Sequence, residues 1–347
     1  MDDIQKTVKI DFSTDTNSTP DTGICDCGGT FVFDTQRRIH ICSKCKIIKR
    51  TVSKKQFQPG EIVADRYKIL QLLAQGGMGY IYLCTSTEDC SVRYVLKTMN
   101  LPRLIAAQHQ FDTEQRRIMR EAKLLNALDH PNIVKVYDSW QDDSNTYIVM
   151  EYINGSNLAQ VKREGKYEFD EATVLQIMYQ IADALQYAWE SQRILHRDIK
   201  PENIMLDENG HLRLLDFGIA KSLTANNTTA LTTKGSGLGT PGYMSPEQFS
   251  SNEALNCTTD IYSLGATAYF LLTGSPPYTG KNALDIFGDM LDHEPELLHK
   301  INPAISENMS ALIRSMMRFA PAERPFSWRK LKMDLDFVMN GLPPRPN

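Results

Sequence analysis

The sequence has no long apolar run and no excess of charge of one sign. Its longest uncharged apolar stretch, Ile261 to Leu272, is about a dozen residues, which suits a buried helix better than a membrane span. The 347 residues carry 38 Lys+Arg against 42 Asp+Glu, a formal net charge of −4. Because nucleic-acid-binding proteins usually carry a basic excess, nucleic acid is not expected as the main partner.

Targeting signals are also lacking. The N-terminal residues, Met1 to Pro20, are polar and acidic, without the basic and apolar regions of a secretory signal. Neither end carries a lipidation motif. We therefore expect a soluble, cytoplasmic protein without a membrane span.

Cysteine is scarce outside one short segment. The chain has 7 cysteines, an odd number for a disulfide framework. Three of them, Cys84, Cys90 and Cys257, are scattered and are expected to be reduced, small apolar filler. The other four lie between residues 25 and 45.

Composition divides the chain into four parts. Residues 1–22, poor in apolar side chains, are expected to form a disordered tail, 23–48 a small cysteine-bearing module, 49–60 a linker and 61–340 the main domain. Eight basic residues and no acidic one occur from Arg37 to Lys55. A solvated face and a contact with an acidic partner or an anionic surface remain open for this basic run.

Hydrophobic patterning predicts a β-rich region followed by a helical one, hence an α+β fold. Predicted strands are Tyr67–Leu73, Tyr80–Thr85, Arg93–Met99, Ile133–Asp138 and Tyr147–Tyr152. Predicted helices cover 107–128, 170–190, 257–273, 280–292, 306–318 and 327–339.

A glycine-rich loop lies between the first two predicted strands of the main domain. It contains Gly76-Gly77-Met78-Gly79, and a strand follows it where a dinucleotide-binding fingerprint would require a helix. No Lys-Ser or Lys-Thr follows, which excludes a Walker A loop. Glycines let backbone N–H groups approach phosphate oxygens, although a plain tight hairpin would show the same pattern.

Further along the chain lie charged and amide residues of the types that bind phosphate groups and Mg²⁺. Lys97 ends an apolar strand, and either a phosphate or the carboxylate of Glu121 on the following helix could balance its charge. Asp198, Asn203 and Asp216 supply oxygen ligands and one carboxylate base within 19 residues. Mg²⁺-assisted phosphoryl transfer needs this set, with a carboxylate that orients the attacking hydroxyl.

These motifs together resemble one family. Leu195-His196-Arg197-Asp198-Ile199-Lys200-Pro201-Glu202-Asn203, Leu215-Asp216-Phe217-Gly218 and Gly239-Thr240-Pro241-Gly242-Tyr243-Met244-Ser245-Pro246-Glu247-Gln248 occur in the order typical of protein kinases. From about residue 66 to 338 the chain resembles eukaryotic-type Ser/Thr protein kinases of the bacterial branch. The resemblance implies a bilobal kinase fold, ATP and Mg²⁺ as cofactors, and protein substrates.

The resemblance also implies roles for single residues. Asp198 would be the catalytic base, Lys200 would stabilise the transferred phosphoryl group, and Lys97 would pair with Glu121. Asn203 and Asp216 would bind Mg²⁺, Asp260 would hold the catalytic loop, and Glu247 would pair with Arg324. The ATP-binding residues would be Leu73, Ala74, Gln75, Gly76, Gly77, Met78, Gly79, Ile81, Val95, Lys97, Met150, Glu151, Ile153 and Met205.

Three positions depart from the family pattern. Ala74 replaces the first glycine of the loop, Val95 the usual alanine above adenine, and Ser245 the alanine before Pro246-Glu247. None of them changes Lys97 or a metal ligand, so we expect an active enzyme.

Regulation by phosphorylation is a further expectation. Arg197 precedes the catalytic Asp198, and the activation segment, from Asp216 to Glu247, is rich in Thr. A phosphate on Thr232 or Thr233 could pair with Arg197 and order the segment. Autophosphorylation in trans, through a transient homodimer, would supply it.

The cysteine cluster predicts a second, structural metal. Cys25-x-Cys27 and Cys42-x-x-Cys45 are separated by 14 residues that read as a hairpin, an arrangement resembling a zinc ribbon. Cys25 and Cys27 are one residue closer than usual, and His40 could replace one ligand. A two-disulfide knot is the alternative, which a cytoplasmic location disfavours.

Two other functions compete with a Ser/Thr protein kinase. One is a catalytically dead scaffold that binds nucleotide and partners, which intact Asp198, Lys200, Asn203 and Asp216 oppose. The other is a small-molecule kinase of related fold, which Gly239-Thr240-Pro241 opposes because that segment builds a shelf for protein substrates.

Overall fold

The structure is a computed structural model in which the chain divides into two compact units. It describes residues 28, 30–34, 39–44, 48–49, 56–76, 79–100, 108–142, 145–165, 167–217, 241–249 and 255–346. One unit comprises Met1–Arg120 with Ser139–Val149, and the other comprises Glu121–Asp138 with Met150–Asn347. The predicted tail at 1–22 lies outside the described residues.

A small antiparallel sheet stands at the start of the described chain. Its strands are β1 (Phe31–Asp34), β2 (Ile39–Cys42) and β3 (Ile48–Lys49), in the order β1-β2-β3. Phe31 pairs with Cys42, and the Ser43 N–H donates to the Thr30 carbonyl at 2.9 Å. The chain entering β1 and the chain leaving β2 are therefore neighbours.

A six-stranded sheet, whose first four strands along the chain pair antiparallel, forms most of the rest of this unit. Its strands are β4 (Ile62–Val63), β5 (Tyr67–Gly76), β6 (Gly79–Ser86), β7 (Arg93–Asn100), β8 (Val136–Gln141) and β9 (Asn145–Glu151), in the order β4-β5-β6-β7-β9-β8. Helix α1 (Gln108–Asn126) follows β7 in the chain. The five predicted strands and the predicted helix at 107–128 match elements of the structure to within a few residues.

A row of aromatic rings packs on this sheet. Trp140 stacks on Tyr67 with ring centroids 5.8 Å apart and on Tyr147 at 5.0 Å. Phe57 meets Tyr82 edge-on at 5.6 Å, and its N–H donates to the Tyr82 hydroxyl at 3.1 Å. Phe57 is only 8% exposed, so part of the segment that the sequence assigns to a linker is packed into the core of this unit.

The second unit is mainly helical. Its helices are α2 (Leu158–Glu164), α3 (Glu171–Gln192), α4 (Cys257–Thr273), α5 (Ala283–Asp292), α6 (Leu298–Ile301), α7 (Glu307–Met316) and α8 (Trp328–Met339). A three-stranded sheet of β10 (Gly155–Asn157), β11 (Ile204–Asp207) and β12 (Leu212–Leu214) completes it. All of these helices except α6 begin at polar caps whose side chains accept backbone N–H bonds: Asn157, Asp170, Asn256, Asn282, Ser306 and Ser327.

Helix α4 is the buried centre of the helical unit. It contains the apolar stretch Ile261 to Leu272, and nearly every residue of the helix is buried. A Cβ on Gly265 would lie 3.0 Å from the side chains of Met316 and Met317, so glycine allows α4 and α7 to pack closely. Within the described part of the chain, no helix is long and apolar enough to cross a bilayer.

The packing of Phe57 yields the first prediction. Phe57→Ala should lower the free energy of unfolding by about 3–5 kcal/mol, because it removes a buried ring and leaves a cavity beside Tyr82 and Tyr147. Urea unfolding followed by circular dichroism measures the change. Gln58→Ala, at the exposed neighbouring position, is the matched control and should have little effect. Equal stability of the two variants would show that the 56–60 segment does not belong to the core.

Candidate active site

The predicted catalytic loop is held by one buried carboxylate. Asp260, on α4, is 1% exposed. Its two oxygens accept the backbone N–H groups of His196 and Arg197, each at 2.7 Å. Arg197 has φ 63°, a left-handed conformation that is costly for a residue with a side chain. The bonds from Asp260 stabilise the loop in that conformation.

His196 connects the catalytic loop to the next motif. The Asp198 N–H donates to His196 Nδ1 at 3.2 Å, so Nε2 carries the ring proton and donates to the Leu215 carbonyl at 2.7 Å. The His196 ring also lies 4.7 Å from the ring of Phe217. Asp216 lies in the chain between Leu215 and Phe217, and both of these residues contact His196. Its backbone has φ 50°, a left-handed conformation that these contacts on either side stabilise.

Two other predicted site residues, Lys200 and Asn203, contact the Asp198 carboxylate. Lys200 Nζ lies 3.2 Å from Asp198 Oδ2. Asn203 Nδ2 donates to the same oxygen at 3.0 Å and to the Asp198 carbonyl at 2.8 Å. The Asp198 side chain is 19% exposed, which leaves it open to a reacting group. A carboxylate held by a cation and an amide is suited to orient a hydroxyl and accept its proton.

The donor set near Asp198 fits a magnesium ion bound together with nucleotide phosphates. Asn203 uses its amide nitrogen for both bonds to Asp198, so its amide oxygen is the atom that can bind a cation. The Leu215 N–H donates to the Asn203 carbonyl at 2.8 Å and so fixes the chain just before Asp216. Mg²⁺ in nucleotide sites usually takes one or two protein oxygens and fills its shell with phosphate and water. The described residues contain no group of three or more His, Cys, Asp or Glu that could hold a metal.

The predicted phosphate-binding loop is the β5–β6 hairpin. Gly76 pairs with Gly79, and a Cβ on Gly79 would lie 1.9 Å from the Thr98 carbonyl oxygen, so only glycine fits there. Gly77 and Met78 lie outside the described residues. Ala74 pairs with Ile81 and is absent from the residues with positive φ, so its Cβ causes no backbone strain.

Other predicted nucleotide-binding residues lie on strands of both units. In the β-rich unit, Lys97 on β7 pairs with Ile81 on β6, and Val95 pairs with Leu83. In the helical unit, Met205 on β11 pairs with Asn157.

Three more predicted nucleotide-binding residues, Met150, Glu151 and Ile153, lie in the helical unit. Met150 is buried, and the N–H of Glu151 donates to the Lys135 carbonyl at 2.8 Å. The Glu151 side chain accepts from the Lys135 N–H at 3.3 Å, and its Oε2 lies 3.8 Å from Arg213 Nε. The backbone that leads to Ile153 is therefore fixed.

A buried ion pair braces the end of the activation segment. The Glu247 carboxylate receives Arg324 Nη1 at 2.7 Å and Nη2 at 2.9 Å, and both side chains are almost fully buried. The remaining Arg324 donors bond to the carbonyls of Thr258, Phe319 and Arg318. Burial alone would raise the pKa of Glu247, but the hydrogen bonds and charge of Arg324 outweigh it and hold this pKa below its usual value.

One positioning contact has no counterpart in the sequence expectations. Gln248 Nε2 donates to the Arg197 carbonyl at 2.8 Å, and Gln248 Oε1 accepts from the Ser245 N–H at 3.0 Å. This amide therefore links the catalytic loop to the segment that would support a protein substrate. The only sign of this contact in the sequence is that a polar residue directly follows Glu247.

Several expected sites lie outside the described residues. Residues 218–240, with Thr232, Thr233 and Thr240, are among them, and so are Cys25, Cys27 and Cys45. Glu121 lies on α1, and the sequence's pairing of Lys97 with Glu121 stays a prediction.

The Glu247–Arg324 pair gives a prediction about stability. Arg324→Met should lower the free energy of unfolding at neutral pH by about 3–5 kcal/mol, because it leaves Glu247 buried without its partner. The pKa of Glu247 is lowered in the folded state, so the pair stabilises fully above the unfolded value of about 4.3 and loses this contribution as pH falls through the folded pKa. The difference between the two proteins should therefore shrink in acid. Urea titrations at several pH values measure it, with Arg329→Met, at an exposed position, as control. A difference that grows in acid would contradict the assignment.

Comparison with known proteins agrees with this geometry. A sequence model of the protein kinase domain matches residues 67–334. The serine/threonine-protein kinase PrkC of Bacillus subtilis is 36% identical over 279 residues, 80% of this chain and 40% of that protein. PknB of Mycobacterium leprae is 30% identical over 287 residues, 81% of this chain and 44% of that protein. This chain thus spans less than half the length of either relative.

A solved structure has the same fold. The PknI kinase domain of Mycobacterium tuberculosis superposes with a TM-score of 0.64 and 26% identity, over 83% of this chain and 100% of that one. The predicted kinase fold, with a β-rich lobe and a helical lobe, is confirmed. Since the family match covers more than half of the sequence, the chain belongs to the protein kinase family.

Proposed function

We propose that the protein is a Ser/Thr protein kinase that transfers the γ-phosphoryl group of ATP to Ser and Thr hydroxyls of proteins. The supporting observation is the Asp198 carboxylate, partly exposed and held by Lys200 and Asn203 on a loop fixed by Asp260. The names of its relatives PrkC and PknB also support serine/threonine specificity.

Each site residue would have a simple task in this reaction. Asp198 would orient the substrate hydroxyl and accept its proton, while Lys200 would offset negative charge on the phosphoryl group. Asn203 and Asp216 would hold Mg²⁺, whose charge, when bound, neutralises phosphate oxygens. Lys97, oriented by Glu121, would position the α- and β-phosphates.

ATP would be held by two groups of residues, one in the glycine loop and one around the adenine ring. Gly76, Gly77 and Gly79 would bring backbone N–H groups to the phosphates, with Leu73, Ala74, Gln75 and Met78 beside them. Ile81, Val95 and Met205 would enclose the adenine ring, and Met150, Glu151 and Ile153 would line its edge.

The two rival functions fit the site less well. A scaffold without catalysis would not need Lys200 and Asn203 aimed at the same carboxylate. A small-molecule kinase would not need Gln248 to connect the catalytic loop with Ser245.

Control by phosphorylation and cellular location belong to the same proposal. A phosphate on Thr232 or Thr233, added in trans within a transient homodimer, would pair with Arg197 and order the activation segment. A cytoplasmic location would keep the scattered thiols reduced, and the cysteines at 84, 90 and 257 are free in the structure.

Catalysis is tested by replacing the base. Asp198→Asn should lower phosphoryl transfer to a generic protein substrate by about 10²–10⁴-fold while leaving nucleotide affinity nearly unchanged, since Asp198 acts on the hydroxyl. Asp216→Ala should instead lose Mg²⁺-dependent nucleotide binding. Radiolabelled ATP and a fluorescent nucleotide analogue measure the two effects, with Asp336→Asn, at an exposed position, as control. Full activity of Asp198→Asn would overturn the proposal.

A structural zinc site is a second proposal, supported by the β1–β2 hairpin. The hairpin pairs Phe31 with Cys42, and the Thr30 hydroxyl oxygen lies 3.4 Å from that of Ser43. In the sequence, Cys25 and Cys27 precede β1, and Cys45 comes three residues after the end of β2. Four thiolates from two such loops suit tetrahedral Zn²⁺, and so small a module needs a metal to fold.

Zinc content tests this second proposal. We expect one zinc per chain, lost in the Cys42→Ser/Cys45→Ser variant and kept in Cys90→Ser, which changes an exposed cysteine elsewhere. Elemental analysis of protein purified without added metal gives the answer. A chain that begins at residue 56, and so keeps Phe57, should still phosphorylate substrate. Zinc near zero in the unmodified protein would exclude the site.

A further inference from the structure

The peptide group that joins Arg197 to Asp198 is hydrogen-bonded at both of its polar atoms. Its carbonyl oxygen, that of Arg197, accepts from Gln248 Nε2 at 2.8 Å. Its N–H, that of Asp198, donates to His196 Nδ1 at 3.2 Å. Because a peptide group is planar, these two bonds together restrict the rotation of its plane. The Asp198 Cα is attached to this group, so the placement of the carboxylate depends on both bonds.

One of these two bonds comes from a distant part of the chain. Gln248 is 51 residues from Arg197 and lies on the short 3₁₀ helix Pro246–Phe249. It directly follows Glu247, whose buried carboxylate is bonded to Arg324 through two nitrogens. The backbone that carries Gln248 is therefore anchored in the helical unit, and through it the end of the activation segment reaches the peptide group before Asp198.

The Gln248 amide has to offer an acceptor to one partner and a donor to the other. Its Oε1 accepts the Ser245 N–H at 3.0 Å and lies 3.3 Å from Ser245 Oγ, while its Nε2 donates to the Arg197 carbonyl. A carbonyl cannot donate and an N–H cannot accept, so the reversed amide would lose both bonds. Ser245, which stands where the family pattern has alanine, adds a hydroxyl donor that favours the observed orientation.

We propose that Gln248 is a positioning residue for phosphoryl transfer, which acts through Asp198 and is oriented by Ser245. It makes the placement of the base depend on the end of the activation segment, because a shift of Pro246–Phe249 would withdraw the amide from the Arg197 carbonyl. The base is then fully placed only when the segment that would support a protein substrate is in place. This inference rests on the proposed kinase function.

Steady-state kinetics of the full-length protein test the role of the amide, with myelin basic protein as the phosphoryl acceptor. Gln248→Met keeps the length of the side chain but removes both hydrogen bonds. We expect kcat to fall about tenfold, about 1.4 kcal/mol, with the KM for ATP unchanged. Gln248→Glu should lower kcat further, because its carboxylate repels the Arg197 carbonyl. An unchanged kcat in Gln248→Met would overturn the proposal.

Ser245→Ala tests the orienting hydroxyl. It keeps the N–H donor, so kcat should fall only about two- to threefold, the net value of one weak hydrogen bond. The variant restores the residue usual in the family, so it should fold even where Gln248→Met does not. In that case Ser245→Ala decides alone, and an unchanged kcat would count against the proposal.

Gln180→Met is the matched control. Gln180 is also a half-buried amide of the helical unit, and its Oε1 accepts from Asn132 Nδ2 at 3.2 Å. Its side chain makes no contact with the catalytic loop or with Pro246–Phe249 within the described part of the chain, so kcat should not change. Urea unfolding followed by circular dichroism compares the stability of the variants. An equal loss of kcat in Gln180→Met would refute a specific role for Gln248.

A double-mutant cycle tests whether Gln248 acts through Asp198. Gln248→Met should cause no further loss of phosphoryl transfer from radiolabelled ATP in a protein that already carries Asp198→Asn. A further tenfold loss in that background would indicate a general structural effect and overturn the proposal. Failure of the kinase proposal looks different: the unmodified protein would transfer no phosphate, and this inference would fall with it.

Discussion

The catalytic loop depends on the Asp260 carboxylate. Burying a carboxylate in an apolar helix is unfavourable unless its oxygens receive hydrogen bonds, and here two backbone N–H groups donate to it at 2.7 Å. The same bonds stabilise the left-handed backbone of Arg197. This turn leads directly into Asp198, so the position of that carboxylate depends on the core of the helical unit.

Two further polar contacts extend this bracing. Glu247 and Arg324 satisfy each other in a buried pair, and all five N–H donors of Arg324 have acceptors. Lysine, with one nitrogen and no planar fork, could not make these contacts. Gln248 then ties the braced segment to the Arg197 carbonyl. The helical unit thus supports its catalytic loop through a few fully bonded polar groups within an apolar core.

Much of this arrangement could be predicted from the sequence because its signals are local. Hydrophobic periodicity located the strands and long helices, and motif order identified the cluster of Asp198, Lys200 and Asn203. Helix α2 was not predicted because it has only seven residues, although Asn157 and Gln160 form a capping box at its start. The roles of Phe57 and Gln248 were not predicted because each contacts a residue distant in the chain. Phe57 contacts Tyr82 and Gln248 contacts Arg197, and such contacts leave no periodic pattern in the sequence.

The distance in sequence between Asp260 and the loop it holds has a consequence for synthesis. The hydrogen bond from Arg197 spans 63 residues, and the chain emerges from the ribosome with its N-terminus first. A nascent chain that has not reached Asp260 contains every residue of the catalytic loop but lacks the group that stabilises its strained turn. This turn can therefore be held by its hydrogen bond only after residue 260 has been synthesised.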